Sequence, residues 1–479
     1  MERKSGVLMH ISSLWGDFSC GGFSDSAKEF IDFLAECGFS YWQMLPFCPV
    51  DEFGSPYKSY SAFAGNLFFI DLNKLFKKEL ITKEELSLAM QKTPYSCEFE
   101  RLFSERPHLL LTASKRVCKE EREKIEKFIS DNPYIEKYCD FMALKEANDH
   151  KMWQEWKIDE KDEDILFMYK FSQYEFFTQW EEIKGYANEK GIKLIGDIPI
   201  YVAPDSSDTW GDKKQFSLDE KGYPKELSGV PPDYFSADGQ LWGNPLYDFL
   251  VMEKDGFKWW LDRIKHMLWM FDGIRIDHFR AFEAFWSVPS GAKTAKEGKW
   301  IKGPGMKLLK EFQKIKGDGL IIAEDLGDIT EDVVKLVEES GFPGMRVFQF
   351  GFLSDGDSTH KPHNYIKNSV AYSGTHDNNT LLGYLWELDD NTRREMLEYC
   401  GYTDSNWEKG YENMIRTIMM SSSDLVIFPI QDILRYGADT RLNTPGVPEN
   451  NWRYRVTREQ ILGIDKNYWN KMNRIYARL

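Results

Sequence analysis

The sequence contains no C-x-x-C pair, and its seven cysteines (Cys20, Cys37, Cys48, Cys97, Cys118, Cys139 and Cys400) are scattered and odd in number. That spacing excludes a zinc knuckle or dithiol redox couple and gives no disulfide framework, so a reducing cytoplasmic compartment is expected. No stretch approaches the ~20 apolar residues needed to span a bilayer. The opening segment MERKSGVLMHISSLWG lacks the sustained apolar run and small-residue cleavage site of a secretory signal. Excess basic charge is also missing: 61 basic against 77 acidic residues leave a formal charge of −16, which repels phosphate backbones and anionic lipid surfaces. Neither nucleic acid nor membrane is an expected partner. There is no low-complexity tract and no internal repeat beyond an alternation of strand-like and helix-like segments.

Aromatic residues are plentiful, 15% of the chain with 16 Trp, 23 Tyr and 33 Phe. Rings of this kind fill large cores, and they also offer flat faces to the apolar sides of sugars. Eight short apolar runs recur, at 7–12, 41–46, 193–202, 273–279, 320–325, 345–350, 370–375 and 425–430. Between them lie amphipathic stretches such as 25–37, 174–190, 257–270 and 330–340, with apolar residues at helical spacing. Eight strand-plus-helix units predict an α/β fold of the (β/α)8 TIM-barrel type. The chain is much longer than the ~250 residues such a barrel needs, so the excess must lie in connections. Residues 1–72 are expected to form the first part of the barrel, 73–165 a Lys- and Glu-rich helical insertion, and 166–479 the remainder. The insertion includes a helical run at 113–129, and its charged KEEREK stretch is expected on an exposed helix face. A second insertion at 203–255, rich in Gly, Pro, Asp and Tyr, is expected to be an ordered irregular excursion lying over the active-site face.

Three acidic residues stand at or just past the ends of these runs: Asp277 in DGIRIDHFRAF, Glu324 in LIIAEDLG and Asp377 in YSGTHDNNT. In a barrel, those positions on the fourth, fifth and seventh strands converge on one mouth, where the loops build the chemistry. Glycoside cleavage needs two carboxyl groups in opposite protonation states. Arg275, two residues before Asp277, shares its strand face and would hold Asp277 ionised, as a nucleophile must be. Glu324 leaves an apolar run that favours the protonated form of a general acid. Its neighbour Asp325 points to the opposite face by strand alternation. Asp197, Asp205 and Asp208 do not follow a calcium-loop spacing, so no metal and no cofactor is expected.

The strings RIDHFRAF, IAEDLG and GTHDNNT resemble the catalytic motifs of the amylomaltases, or disproportionating enzymes, which are relatives of the α-amylases. GDIPIYV, GVPPDYFSADGQLWGNPLYD, GSPYKSYSAFAGN and NNWRYR match further stretches of that family, so the resemblance spans about Gly6 to Arg455. It implies a 4-α-glucanotransferase acting on maltooligosaccharides and α-1,4-glucans by retaining double displacement. Asp277 would be the nucleophile, Glu324 the acid/base, and Asp377 a third carboxylate on the sugar hydroxyls. The resemblance also implies substrate contacts for Tyr57, Asp197, Trp242, Asn244, Arg275, His278 and His376. Tyr234 and Phe235 in the second insertion are expected to shield the intermediate from water. Departures from the family pattern at Ala281, Asn379 and Asp238 leave the three carboxylates untouched; Asn379 and Asp238 are expected near the substrate groove. An α-glucan hydrolase and a catalytically silent glucan-binding protein remain the alternatives at this level. A binding module, however, has no need of the carboxyl pair.

Overall fold

The structure, a computed structural model, describes residues 2–232, 237–353, 356–404, 406–447 and 449–479. Its strands, in chain order, are β1 (Lys4–Leu8), β2 (Tyr41–Gln43), β3 (Lys193–Ile198), β4 (Glu226–Val230), β5 (Gln240–Pro245), β6 (Gly273–Ile276), β7 (Ala284–Pro289), β8 (Lys299–Lys302), β9 (Leu320–Ala323), β10 (Gly344–Val347), β11 (Ser369–Tyr372) and β12 (Leu425–Pro429). Eight of these, one from each apolar run, close into a barrel in the order β1-β12-β11-β10-β9-β6-β3-β2. Every pairing around the barrel is parallel. The strands are shorter than most of the runs. Where a run outlasts the ladder, its last residues bend into the mouth, as at the single turns Ile11–Ser13 and Phe279–Phe282.

The ladder is thinnest between β9 and β10, where only Gly344 and Ala323 pair. Asp325 reinforces it: one carboxylate oxygen accepts the Met345 N–H at 2.6 Å and the other takes the Arg346 guanidinium at 3.1 Å. A side chain at residue 344 would run into that carboxylate, which accounts for glycine there. Asp325, the rival of Glu324 in the sequence, is thus committed to joining two strands.

The surrounding helices follow the apolar spacing. Helix Asp25–Cys37 buries Ala27, Phe30, Ile31, Leu34 and Cys37 and stops at Gly38, whose φ of 76° lies in the left-handed region. Helix Glu163–Glu189 starts well before the expected 174 and crosses the expected insertion boundary at 165, with Asp162 capping its first turn. Its 27 residues make a rod about 40 Å long. The helices Phe99–Ser114, Lys119–Asp131 and Pro133–Ala147 of the 73–165 segment pack along it. The helical run expected at 113–129 is broken at 115–118, so one helix ends at Ser114 and the KEEREK face opens the next.

The 203–255 segment is more regular than its composition suggested. It contains β4 and β5, which join β7 and β8 in a four-stranded antiparallel sheet of order β5-β4-β7-β8. Two separate connections, after β3 and after β6, build that sheet together. Close approach of β4 to β5 requires Gly229, since a Cβ there would collide with the Gln240 carbonyl. Among the described residues, no helix is long and apolar enough to cross a membrane.

The long helix is fixed to the barrel by Trp180. Its ring packs among Phe23, Phe47 and Phe271, and its indole N–H donates to the Met270 carbonyl at 3.0 Å. Trp180→Ala removes a fully buried ring and a satisfied hydrogen bond, at a cost of about 3–5 kcal/mol. A clearly lower urea midpoint is expected; an unchanged one would show that the helix is held elsewhere.

Candidate active site

Parallel register sets the geometry of the mouth. Asp197 on β3 lies opposite Arg275 on β6, so both side chains share the inner face. Asp277, two residues after Arg275, falls on that face again. One residue beyond the β6–β9 ladder, the Glu324 N–H bonds to the Ile276 carbonyl at 3.1 Å, which brings Glu324 beside Asp277.

Arg275 is buried and forked between two acids. One guanidinium nitrogen donates to Asp197 at 2.7 Å and another to Asp277 at 2.8 Å. The Tyr57 hydroxyl donates to the same Asp197 oxygen at 2.6 Å. Tyr57 in turn stacks on His376, ring centres 5.2 Å apart and planes 11° apart, and Trp452 tilts against both. Asp377 follows His376 and is held at one oxygen by the Asn443 amide at 2.5 Å, while Arg441 donates to its backbone carbonyl at 2.6 Å. Asp277 and Asp377 are half-buried, and Glu324 is buried.

The three carboxylates do not share one environment. Burial is the largest influence on Glu324, and the Asp277 charge adds to it, pushing the glutamate up to about 8. Its two oxygens accept backbone N–H groups of His278 at 2.6 Å and Leu326 at 3.2 Å, which oppose that rise only in part. The His278 N–H reaches Glu324 because the residue sits in the left-handed region, at φ 48° and ψ 47°. Asp277 is also pushed up, to about 6, chiefly by burial. Arg275 pulls it down but is shared with Asp197, and the charges of Asp197 and Asp377 raise it further. Arg275 favours the ionised form of Asp277, as expected of its place on the same strand face, and does so against a rise that burial imposes. Burial therefore favours the protonated form most at Glu324, while the Arg275 guanidinium favours the ionised form at Asp277.

The neutral polar groups around the mouth come from both sides. Burial keeps His278 and His376 below the ordinary histidine range, so both are uncharged near neutrality. Trp242 on β5 meets the His278 ring edge-on at 4.8 Å, which brings the antiparallel sheet to the site. Asn244 on the same strand instead donates to the Val202 carbonyl at 2.9 Å, tying β5 to the connection after β3. Asp197 Oδ1 and His278 Nε2 are buried without a partner among the described residues, a costly state for polar atoms unless a ligand uses them. Tyr234 and Phe235 lie outside the described residues. Asp205 binds buried Lys145 and Asp208 accepts the Ala62 N–H, so these acids are spent on joining segments.

Asn443, Arg441 and Trp452 were not singled out from the sequence. Trp452 lies in the NNWRYR string, a visible signal without a role attached, whereas Asn443 and Arg441 are ordinary loop residues until the fold brings them to Asp377. Asn379 is buried between Glu387 and its own helix start. Asp238 pairs with Lys296 on the surface.

A family model described as 4-alpha-glucanotransferase matches residues 9–460. The chain is 43% identical to a 4-alpha-glucanotransferase of Clostridium butyricum over 98% of its own length and 100% of the relative's. It is 41% identical to one of Streptococcus pneumoniae over 100% and 98%. The solved amylomaltase of Streptococcus agalactiae in complex with acarbose superposes with a TM-score of 0.95 at 36% identity, each chain covered completely. With the family model matched across the barrel and mouth, and relatives aligned over nearly their whole length, this chain belongs to the 4-alpha-glucanotransferase family.

Proposed function

We propose that this 4-alpha-glucanotransferase moves α-1,4-glucan segments by a retaining double displacement, with Asp277 as nucleophile, Glu324 as acid/base and Asp377 as the carboxylate that grips sugar hydroxyls. The observation that carries it is the pair of neighbouring carboxyl groups at the ends of β6 and β9, Asp277 on the Arg275 guanidinium and Glu324 buried on two backbone N–H groups, environments that favour the ionised and the protonated form respectively. An Asp277 oxygen attacks the anomeric carbon while the bond from that carbon to the bridging oxygen breaks. The electron pair stays on the bridging oxygen, which takes the Glu324 proton and leaves as a free 4-hydroxyl. Glu324, now a carboxylate, removes the proton from the 4-hydroxyl of an acceptor chain. The acceptor oxygen displaces Asp277 from the anomeric carbon and inverts it a second time, so one glycosidic bond is broken and one made.

Asp197, Arg275, Tyr57, His278 and His376 supply hydrogen bonds to the sugar, and Trp242 a ring face; Tyr234 and Phe235 shield the intermediate from water. Maltooligosaccharides and α-1,4-glucans are the proposed partners, and the acarbose held by the Streptococcus agalactiae amylomaltase supports a groove of that chemistry here. Scattered cysteines and acidic charge support a cytoplasmic setting, with no nucleic acid and no membrane as partner.

Incubation with maltotriose alone should give a ladder extending above and below the substrate. Only shorter sugars would mean hydrolysis, and no change would mean a binding protein. Asp277→Asn should lower kcat by a factor on the order of 10⁴ with the fold kept, and a fluorosugar donor should label Asp277 in the native enzyme. Label on Glu324 or Asp377 would overturn the assignment.

The pH dependence follows from the same pair. kcat/KM should rise as Asp277 ionises through about pH 6 and fall as Glu324 loses its proton through about pH 8. A flat profile across that window would count against these roles. Stability carries the same sign. The folded chain keeps the Glu324 proton up to about 8, while the unfolded carboxyl releases it near 4.5, so this contribution is complete below 4.5 and lost as pH rises through 8. Glu324→Gln removes the titration, and the melting temperature of the variant relative to wild type should increase between about pH 4 and about pH 9. A difference that stays constant with pH would contradict the burial-driven shift.

A further inference from the structure

The segment that bears His376 and Asp377 leaves β11 at Ser373 and ends at Leu381, where helix Leu381–Glu387 begins. Its tip is held by groups at the mouth: Tyr57 under His376, and Asn443 and Arg441 on Asp377. Its base is held differently. Asp432, in the short helix Ile430–Leu434 just after β12, is 1% exposed. One of its carboxylate oxygens accepts the Ser373 hydroxyl at 2.5 Å, and the other accepts the Leu381 N–H at 2.7 Å. A single carboxylate therefore joins the residue that precedes the segment to the residue that follows it. Leu381 N–H belongs to the first helical turn, where no backbone acceptor within the helix is available. No cation pairs with Asp432 among the described residues, and burial pushes its carboxyl up to about 6, against which the bonds from Ser373 and Leu381 act. None of the reaction steps above uses it.

We propose that Asp432 is a positioning residue that brackets the Asp377 segment and fixes where the third carboxylate meets the sugar ring. This rests on the role given to Asp377 above. A carboxylate that grips a distorted ring acts in the transition state more than in the ground state, so misplacing it lowers kcat more than it raises KM. Displacements of about 1 Å can cost about a hundredfold in rate.

The test is a double-mutant cycle on full-length enzyme with maltotriose as donor. Asp432→Ala should lower kcat about a hundredfold with little change in KM. Asp432→Asn should recover most of the rate, because its carbonyl can still accept from Leu381 while its amide donates to the Ser373 oxygen. In an Asp377→Asn background, Asp432→Ala should cost little more, since the group it positions is already disabled. Should Asp432→Ala fail to fold, Ser373→Ala, which cuts one bond of the bracket, enters the cycle and should show the same loss of effect in that background. Losses that multiply in the double variant, a folded Asp432→Ala with native kcat, or an Asp432→Asn as poor as Asp432→Ala would each overturn the bracket. A native rate in Asp377→Asn itself would instead overturn the role of Asp377.

Discussion

The Arg275 fork between Asp197 and Asp277 is the interaction on which the mouth of the barrel depends. It joins two adjacent strands one register pair before their ladder ends, and it brings three charges together inside a wall of apolar strands. An arginine left alone there, or either acid without it, would bury an uncompensated charge. Because the cation is divided between two acids, neither is fully neutralised. Asp197 uses the remainder to hold Tyr57, which carries the ring stack to His376, and Asp277 remains electron-rich at the strand end.

The other half of the site is governed by exclusion of water rather than by charge. Among the described residues no cation pairs with Glu324; two backbone N–H groups bond it, and the more distant Arg275 opposes the rise that burial and the Asp277 charge impose. These conditions hold a proton on a group that would lose it in water, and they are created by the same close packing of β6 against β9 that brings Asp277 alongside. One pair of strands therefore supplies both the carboxyl that a guanidinium favours ionised and the carboxyl that burial favours protonated.

Much of this was legible in the chain. The eight apolar runs become eight barrel strands, and Asp277 and Glu324 occupy the strand ends that alternation assigned them. Alternation turned Asp325 away from Glu324, and in the fold Asp325 bonds across a seam of one residue pair to Met345 and Arg346. Less legible were features created by long-range contact. β4 and β5 sit in a Gly- and Pro-rich stretch whose strand character comes from pairing with β7 and β8, and no local pattern announces that. Arg441, Asn443 and Asp432 meet the Asp377 segment only because β12 returns beside β11. The divided helix at 115–118 was hidden because charged residues on either side read as one continuous helical face.

Closure of the barrel runs between the first strand and the last, with Lys4 of β1 paired to Leu425 of β12. During translation β1 is made about 420 residues before β12 and keeps that hydrogen-bonding edge open until β12 follows. The contact order of that seam is therefore extreme, and slow to satisfy. Asp432, Arg441 and Asn443 follow β12 in the chain, so a nascent chain that already holds Asp277, Glu324 and Asp377 still lacks the groups that bond to the Asp377 segment. A fragment that ends before β12 leaves one edge of β1 unpaired, and an unpaired strand edge is a template for pairing with another chain.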